Sequence, residues 1–321
     1  MDYTYIAGRL NAMESELPER SWYERLARSE TGSLLQSARE YFPGFEEIDS
    51  IYRFAEALEM EKLNFLELLS GILRDEEVVR FLRAEYDFDN LILYWKGEFL
   101  DSEVAEDRYA RCGLTSEEII SEAVRNGSGV YLPVYLKDSF DHLLSVTDRS
   151  GLDAAQLMLE RSKYDYLLEA SPSDFARHYT RMRIDTHNIR NFIRTKRTGL
   201  LDQEQERWIP GGFIDILTLR ALFHEPEDEL YSYLSYSRYS RLIDGGLDSS
   251  TPLWKVEPAL SWEIYYYLAG RRHSFFDITP VIFHLENMNR SYSALRSIIT
   301  GVINRLPEEI IMEILDGVIP S

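Results

Sequence analysis

A single cysteine, Cys112, stands in 321 residues. It cannot close an internal disulfide, and a lone thiol builds no zinc cluster. It reads as a small residue in a reducing compartment. Positive charge is also scarce: 35 Lys and Arg face 55 Asp and Glu, a formal net charge of −20. Such a chain repels phosphate backbones and anionic headgroups. Nucleic acid and direct lipid binding are therefore not expected, and any work at a membrane has to run through a protein bound there. No run approaches the roughly 18–20 apolar residues of a membrane span. The opening Met1-Asp2-Tyr3-Thr4 lacks the basic start and apolar stretch of a signal peptide, so a cytoplasmic protein is expected.

The residues of common catalytic sites are missing as well. There is no Gly-x-x-x-x-Gly-Lys-Ser/Thr phosphate cradle, no Gly-x-Gly-x-x-Gly after a strand, no His-Glu-x-x-His or Cys-x-x-Cys, and no Gly-x-Ser-x-Gly elbow. Asp138 with His142 and Asp174 with His178 sit four apart, but each pair offers only two ligands. Magnesium diphosphate chemistry in all-helical synthases needs carboxylates stacked on one helix face. Asp75-Glu76-Glu77, Asp87-Phe88-Asp89 and Glu225-Pro226-Glu227-Asp228-Glu229 do not supply that spacing. The expectation is a non-enzyme with no cofactor and no metal.

What the chain does have is helical periodicity. Ile51, Phe54, Ala55 and Leu58 recur at three and four, and Leu66, Leu69, Ile72 and Leu73 continue the stripe. Val78, Leu82, Tyr86, Leu91, Tyr94 and Trp95 follow in the same way. Thr115-Ser116-Glu117-Glu118 reads as a capping box with Thr115 as the cap, and Pro307-Glu308-Glu309 opens another helix. Strand alternation is nearly absent. Its best candidate, Val130-Tyr131-Leu132, runs into Pro133, which instead starts a helix reaching to about Val146. Loops are expected at Asn126 to Gly129, Asp148 to Gly151, Pro210 to Gly212 and Asp244 to Gly246.

The most informative feature is internal repetition. Asp87-Phe88-Asp89-Asn90-Leu91 and Asp185-Thr186-His187-Asn188-Ile189 both read Asp-x-x-Asn-aliphatic, 98 positions apart, inside long predicted helices. A third copy has two registers. Glu286-Asn287-Met288-Asn289 keeps the acid-x-x-Asn spacing; Ala294-Leu295-Arg296-Ser297-Ile298-Ile299 keeps the aliphatic-Arg step and is the preferred match. A new helix start follows each copy, at Leu114-Thr115-Ser116, Ile209-Pro210-Gly211 and Leu306-Pro307-Glu308. Three related helical units of roughly 100 residues follow, each a small bundle. Acid and asparagine at i and i+3 share a helix face, and asparagine is poor in a helix interior. Asp87, Asn90, Asp185 and Asn188 are thus expected to organise structure, tying one unit's long helix to its neighbour.

Basic residues crowd into one place, Arg181, Arg183, Arg190, Arg194, Lys196 and Arg197, within 17 positions. They read either as a positive lining for an acidic partner or as cations favoured near a helix C-terminus. The stretch Tyr231 to Tyr239 carries four tyrosines, Tyr231, Tyr233, Tyr236 and Tyr239, a residue enriched at interfaces.

Three patches together resemble the C/d subunits of V-type ATPases. They are Asp185-x-x-Asn188-Ile189-Arg190-x-Phe192-Ile193-Arg194-x-Lys196, Ala294-Leu295-Arg296-x-Ile298-Ile299 through Leu306-Pro307-Glu308-Glu309, and the opening Tyr3-x-Tyr5-Ile6-x-Gly8-Arg9-Leu10. Where that family carries an acid before its last Leu-Arg step, this chain has Asn289-Arg290-Ser291-Tyr292. The resemblance implies an all-α fold of three pseudo-threefold-related units forming a funnel, here 1–104, 105–203 and 204–321. It implies a coupling subunit that seats the central-stalk coiled coil on the proteolipid ring, peripheral on the cytoplasmic face of the membrane. Arg183, Arg190, Arg194, Lys196 and Arg296 are then the candidate partner-binding residues. The competing reading is a helical-repeat scaffold or adaptor unconnected to an ATPase.

Overall fold

The computed structural model describes residues 3–319, apart from 15–16, 74, 103, 105–108, 200–207 and 275–276. Among the described residues every regular element is helical, in line with the all-α expectation. In chain order they are α1 (Tyr3–Glu14), α2 (Arg20–Ala27), α3 (Thr31–Ala38), α4 (Phe54–Ile72), α5 (Glu76–Phe99), α6 (Glu117–Asn126) and α7 (Val134–Glu169). There follow α8 (Asp174–Thr198), α9 (Ile216–His224), α10 (Glu227–Ser235), α11 (Ser240–Asp244), α12 (Leu253–Ala269), α13 (Thr279–Ile303) and α14 (Glu308–Val318). They divide into two compact units, Met1–Arg74 with Tyr265–Ser321, and Asp75–Ile264. Of the boundaries expected between three units, residue 105 and residues 203–204 lie outside the described residues.

The first unit is built around α13, which packs against α1, α2, α3, α4 and α14. Surrounded this way, α13 is apolar on most of its circumference: Val281, Ile282, Leu295, Ile298 and Ile299 are all buried. They meet Leu10, Leu26, Leu34, Phe65, Leu69 and Leu315 in the core. The departure at Asn289-Arg290-Ser291-Tyr292 is largely buried too. Arg290 donates to the Val318 carbonyl at 3.1 Å and lies 4.8 Å from the Tyr265 ring, and Tyr292 packs 6.2 Å from Phe42. That stretch holds the end of α14 in place. A four-residue turn joins α13 to α14. Arg305 takes positive φ there, and the amides of Arg305 and Leu306 return to the Val302 and Gly301 carbonyls, a Schellman closure.

The second unit holds the first two copies of the repeat. α5 packs on α6 and α7, and α8 on α7 and α9. Ala155, Leu159, Leu136, Phe140 and Leu143 of α7 share one core with Phe88 and Leu91 of α5 and Ile120 and Val124 of α6. α7 spans Val134–Glu169, across the Asp148-to-Gly151 loop expected from sequence. A straight helix would nevertheless separate Tyr135 from Tyr166 by roughly 46 Å, whereas their rings stack at 4.9 Å. The rod therefore reverses on itself, and Asp148 to Gly151 falls midway between those two tyrosines. The expected strand candidate at Val130 is an irregular approach to α7, with Pro133 at its N-cap.

One expectation is corrected. The residue ahead of α6 is Ser116, not Thr115. Thr115 lies one residue further back, buried, with its amide donating to Asp87 at 3.0 Å, so it belongs to the turn that the carboxylate holds and not to the helix start.

His284 on α13 is 2% exposed, lies tilted 5.1 Å from the Phe65 ring, and leaves Nδ1 without a hydrogen-bond partner among the described residues. Burial depresses its pKa to about 4. The unfolded chain then binds a proton near pH 6.5 that the native chain refuses until about pH 4. Stability is thus lost as the pH falls through that window, by about 3 kcal/mol for this one group. His284→Leu is expected to flatten the pH dependence of denaturant midpoints between pH 6.5 and 4 by one proton's worth. An unchanged slope would show that the group is solvated.

Candidate functional site

The repeated polar residues form two matching clasps. On α5, Arg83, Asp87 and Asn90 lie at i, i+4 and i+7, along one helix face. Asp87 accepts from the Leu114 amide at 3.0 Å, the Thr115 amide at 3.0 Å and the Tyr135 hydroxyl at 2.5 Å. Asn90 exchanges two bonds with Ala110, Nδ2 to its carbonyl at 2.9 Å and Oδ1 from its amide at 2.8 Å. Arg83 donates to the carbonyls of Cys112 and Gly113, both at 2.8 Å.

The second clasp repeats the first on α8, partner for partner. Asp185 accepts from the Phe213 amide at 2.8 Å, the Ile214 amide at 3.1 Å and the Tyr239 hydroxyl at 2.6 Å. Asn188 exchanges bonds of 2.8 and 2.9 Å with Ile209. Arg181 donates to the Gly211 and Gly212 carbonyls at 3.2 and 2.8 Å. In each case the chain leaving the long helix is drawn back along it and released into the next helix, so backbone groups that would be buried without partners are satisfied.

All four residues, Asp87, Asn90, Asp185 and Asn188, are at most 1% exposed. Burial raises the pKa of both carboxyls above 3.8, while the amides and tyrosine hydroxyls pull in the opposite direction. Gly113 and Gly212 pass so close that a Cβ would stand 2.3 and 2.0 Å from the carboxylate oxygens of Asp87 and Asp185. Only glycine fits there.

The third copy has no clasp, and the reason is geometric. Seventeen residues separate α5 from α6 and also α8 from α9, but four separate α13 from α14. With no returning loop there is nothing for an acid and an asparagine to hold. Asn90, Asn188 and Ala294 stand nine, ten and nine residues before their helix ends, while Asn289 stands fourteen before. Helix position therefore agrees with the Ala294 register. Gly301 does here what the clasps do elsewhere: its missing Cβ, 2.8 Å from Ile311, lets α14 lie against α13.

The crowded cations of α8 are largely consumed inside the unit. Arg183 pairs with Glu85 of α5 at 2.6 Å. Arg190 reaches Glu257 at 3.0 Å and His187 at 3.2 Å. Lys196 donates to the Phe223 carbonyl and sits 4.8 Å over that ring. Arg197 grips Glu227 at 2.6 Å and Tyr231 at 2.9 Å. Arg194 and, on α13, Arg296 are exposed and have no carboxylate partner among the described residues. The tyrosine stretch splits likewise: Tyr231 and Tyr239 are buried, and Tyr236 is 92% exposed. Among the described residues no group of three or more His, Cys, Asp or Glu is placed to hold a metal.

Sequence reasoning missed Arg83, Tyr135, Tyr239, Gly113 and Gly212 as clasp members. The arginine was legible, since it stands four residues before the acid in both copies. The tyrosines were not, because they lie at different distances from their acids, 48 and 54 positions on.

The family model described as ATP synthase (C/AC39) subunit matches residues 6–314. A protein of Haloquadratum walsbyi, named as the C subunit of an A-type ATP synthase, is 24% identical over 329 aligned positions, which cover 92% of this chain and 93% of that protein.

Asp185→Ala strands two amides and a hydroxyl in the interior and is expected to cost about 3 kcal/mol in equilibrium unfolding. Asp185→Asn, which keeps an acceptor for the amides, is expected to cost less. Gly212→Ala is expected to cost about 1–3 kcal/mol through the clash with that carboxylate. Equal stability of Asp185→Ala and the unaltered chain would show the clasp to be dispensable.

Proposed function

Because the chain belongs to the ATP synthase (C/AC39) subunit family, we propose that it is the non-catalytic coupling subunit of a rotary V-type ATPase. In this reading three helical units, 1–104, 105–203 and 204–321, stand about a pseudo-threefold axis as a funnel. The funnel seats the central-stalk coiled coil, rests on the proteolipid ring, and passes torque between ATP chemistry and ion translocation. The protein is peripheral on the cytoplasmic face, held by protein contacts.

The observation that carries the proposal is the family match over nearly the whole chain, supported by a relative matched over 92% of this chain whose name places it in an A-type ATP synthase. Two further facts agree with it. No described helix is long and apolar enough to cross a membrane, as befits a protein that rests on a ring instead of joining it. The polar residues shared by the two clasps organise backbone, a structural role and not a catalytic one. Of the candidate contact residues, Arg194 and Arg296 are the ones with charge to spare. Arg183, Arg190 and Lys196 brace the surface from which such contacts are made.

Affinity purification from native membranes tests the role. Nucleotide-binding subunits, stalk and proteolipid are expected together. Recovery alone, or with unrelated soluble partners, removes the motor role and leaves the helical-repeat scaffold. Arg194→Glu combined with Arg296→Glu is expected to weaken stalk binding by roughly tenfold with an unchanged thermal midpoint. Unaltered stalk affinity in that variant rejects the residue assignment and leaves the family membership intact.

A further inference from the structure

The two clasps match in their hydrogen bonds but differ in what they show to solvent. At the second clasp, two guanidinium groups lie over the Phe213 ring. The Arg181 carbon lies 4.0 Å and the Arg238 carbon 3.3 Å from the ring centroid, and the His178 ring packs 4.5 Å away. Arg238 Nη1 is 3.1 Å from His178 Nε2. At the first clasp the corresponding positions are Leu114 for Phe213, whose amides make the same bond to the clasp acid, Arg80 for His178, each seven residues before the acid, and Val134 for Arg238, each just before the tyrosine. Val134 is 76% and Leu114 43% exposed.

Closure of the clasp does not account for the cluster. The first clasp closes with Leu114 and Val134 in these places, so Phe213 and Arg238 are not required for it. Nor are the two arginines neutralised. Neither Arg181 nor Arg238 has a carboxylate within ion-pair distance among the described residues. Asp185 lies nearby but is buried and occupied by Phe213, Ile214 and Tyr239. Arg181 spends Nε and Nη2 on two carbonyls. Arg238 is exposed, and its Nε–Nη2 edge, the fork that takes a carboxylate side-on, carries no hydrogen bond among the described residues. Stacking on Phe213 holds that fork still before anything binds, which lowers the entropy lost on docking. One exposed turn earlier on α8 stands Arg177.

We propose that Arg238, set on Phe213 and backed by Arg181 and His178, is a docking place for a carboxylate-bearing segment of an acidic partner protein. The cluster offers one oriented fork, not a track of cations. That geometry fits one or two side-chain carboxylates on a folded or extended segment better than a phosphate backbone. The inference does not depend on the motor role.

The test is fluorescence anisotropy with a labelled hexaglutamate peptide and the full chain. Binding is expected to weaken as salt rises. Arg238→Ala is expected to reduce affinity about tenfold, and Arg238→Lys to restore little of it, because an ammonium has no fork. Arg125→Ala removes the same charge from an exposed site on α6 and is expected to leave affinity unchanged. Thermal melts of each variant check folding, and Arg238 is exposed enough for its loss to leave the fold intact. Absence of peptide binding overturns the proposal, as does an equal loss in Arg125→Ala. Displacement of the peptide by inorganic phosphate at lower concentration than by acetate also overturns it, since the place would then be an anion site and not a peptide site.

Discussion

A buried carboxylate that accepts from two backbone amides and a tyrosine is the constraint on which the second unit depends. Asp87 and Asp185 each sit inside the protein, where an uncompensated charge is very costly. Their donors are the amides just before α6 and α9 and the hydroxyls of Tyr135 and Tyr239. Each acid therefore fixes where the next helix begins and which later segment closes over it. The asparagine three residues on pins the same returning chain at a second point, and the arginine four residues before holds the intervening carbonyls. Without these groups, the seventeen-residue connections would have to find other partners for their backbone or be exposed to water.

Legibility in the sequence followed the physics. Helices showed themselves because apolar residues recur at helical spacing, and the repeat showed itself because a polar pair in a helix interior is unusual enough to be noticed twice. The place of Asn90 and Asn188 at a structural contact followed from asparagine's poor fit in a helix, and what they tie is the chain returning toward the next helix, at Ala110 and Ile209. What stayed hidden depends on tertiary closure. Thr115 looks like a cap until the helix is seen to start one residue later, behind Ser116. Tyr135 and Tyr239 come from segments of different length, so no fixed spacing betrays them. The cations of α8 looked like a surface lining, and only the positions of Glu85, Glu227 and Glu257 reveal how many are used internally.

That internal use has a wider meaning in a chain so acidic. Lysines and arginines are few, and several are committed to joining elements: Arg183 links α8 to α5, Lys163 reaches Asp89 at 2.7 Å, and Arg20 and Arg28 reach Asp316 and Glu308 of α14. The partly buried pairs contribute more than the exposed ones, whose worth is typically under about 1 kcal/mol. A cation left over in such a protein stands out, and Arg194, Arg238 and Arg296 are conspicuous for that reason.

The double bond exchange at Ala110 and Ile209 also separates two questions that most loops leave entangled. Once the chain is caught there, everything downstream is set by the clasp, whatever happened upstream. The number of residues between the end of α5 and Tyr109, or between Gly199 and Trp208, is therefore not dictated by the position of α6 or α9. Loop closure grows dearer only logarithmically, by roughly 0.6 kcal/mol for each doubling of length. Length upstream and helix position downstream are thereby independent quantities in each clasped connection.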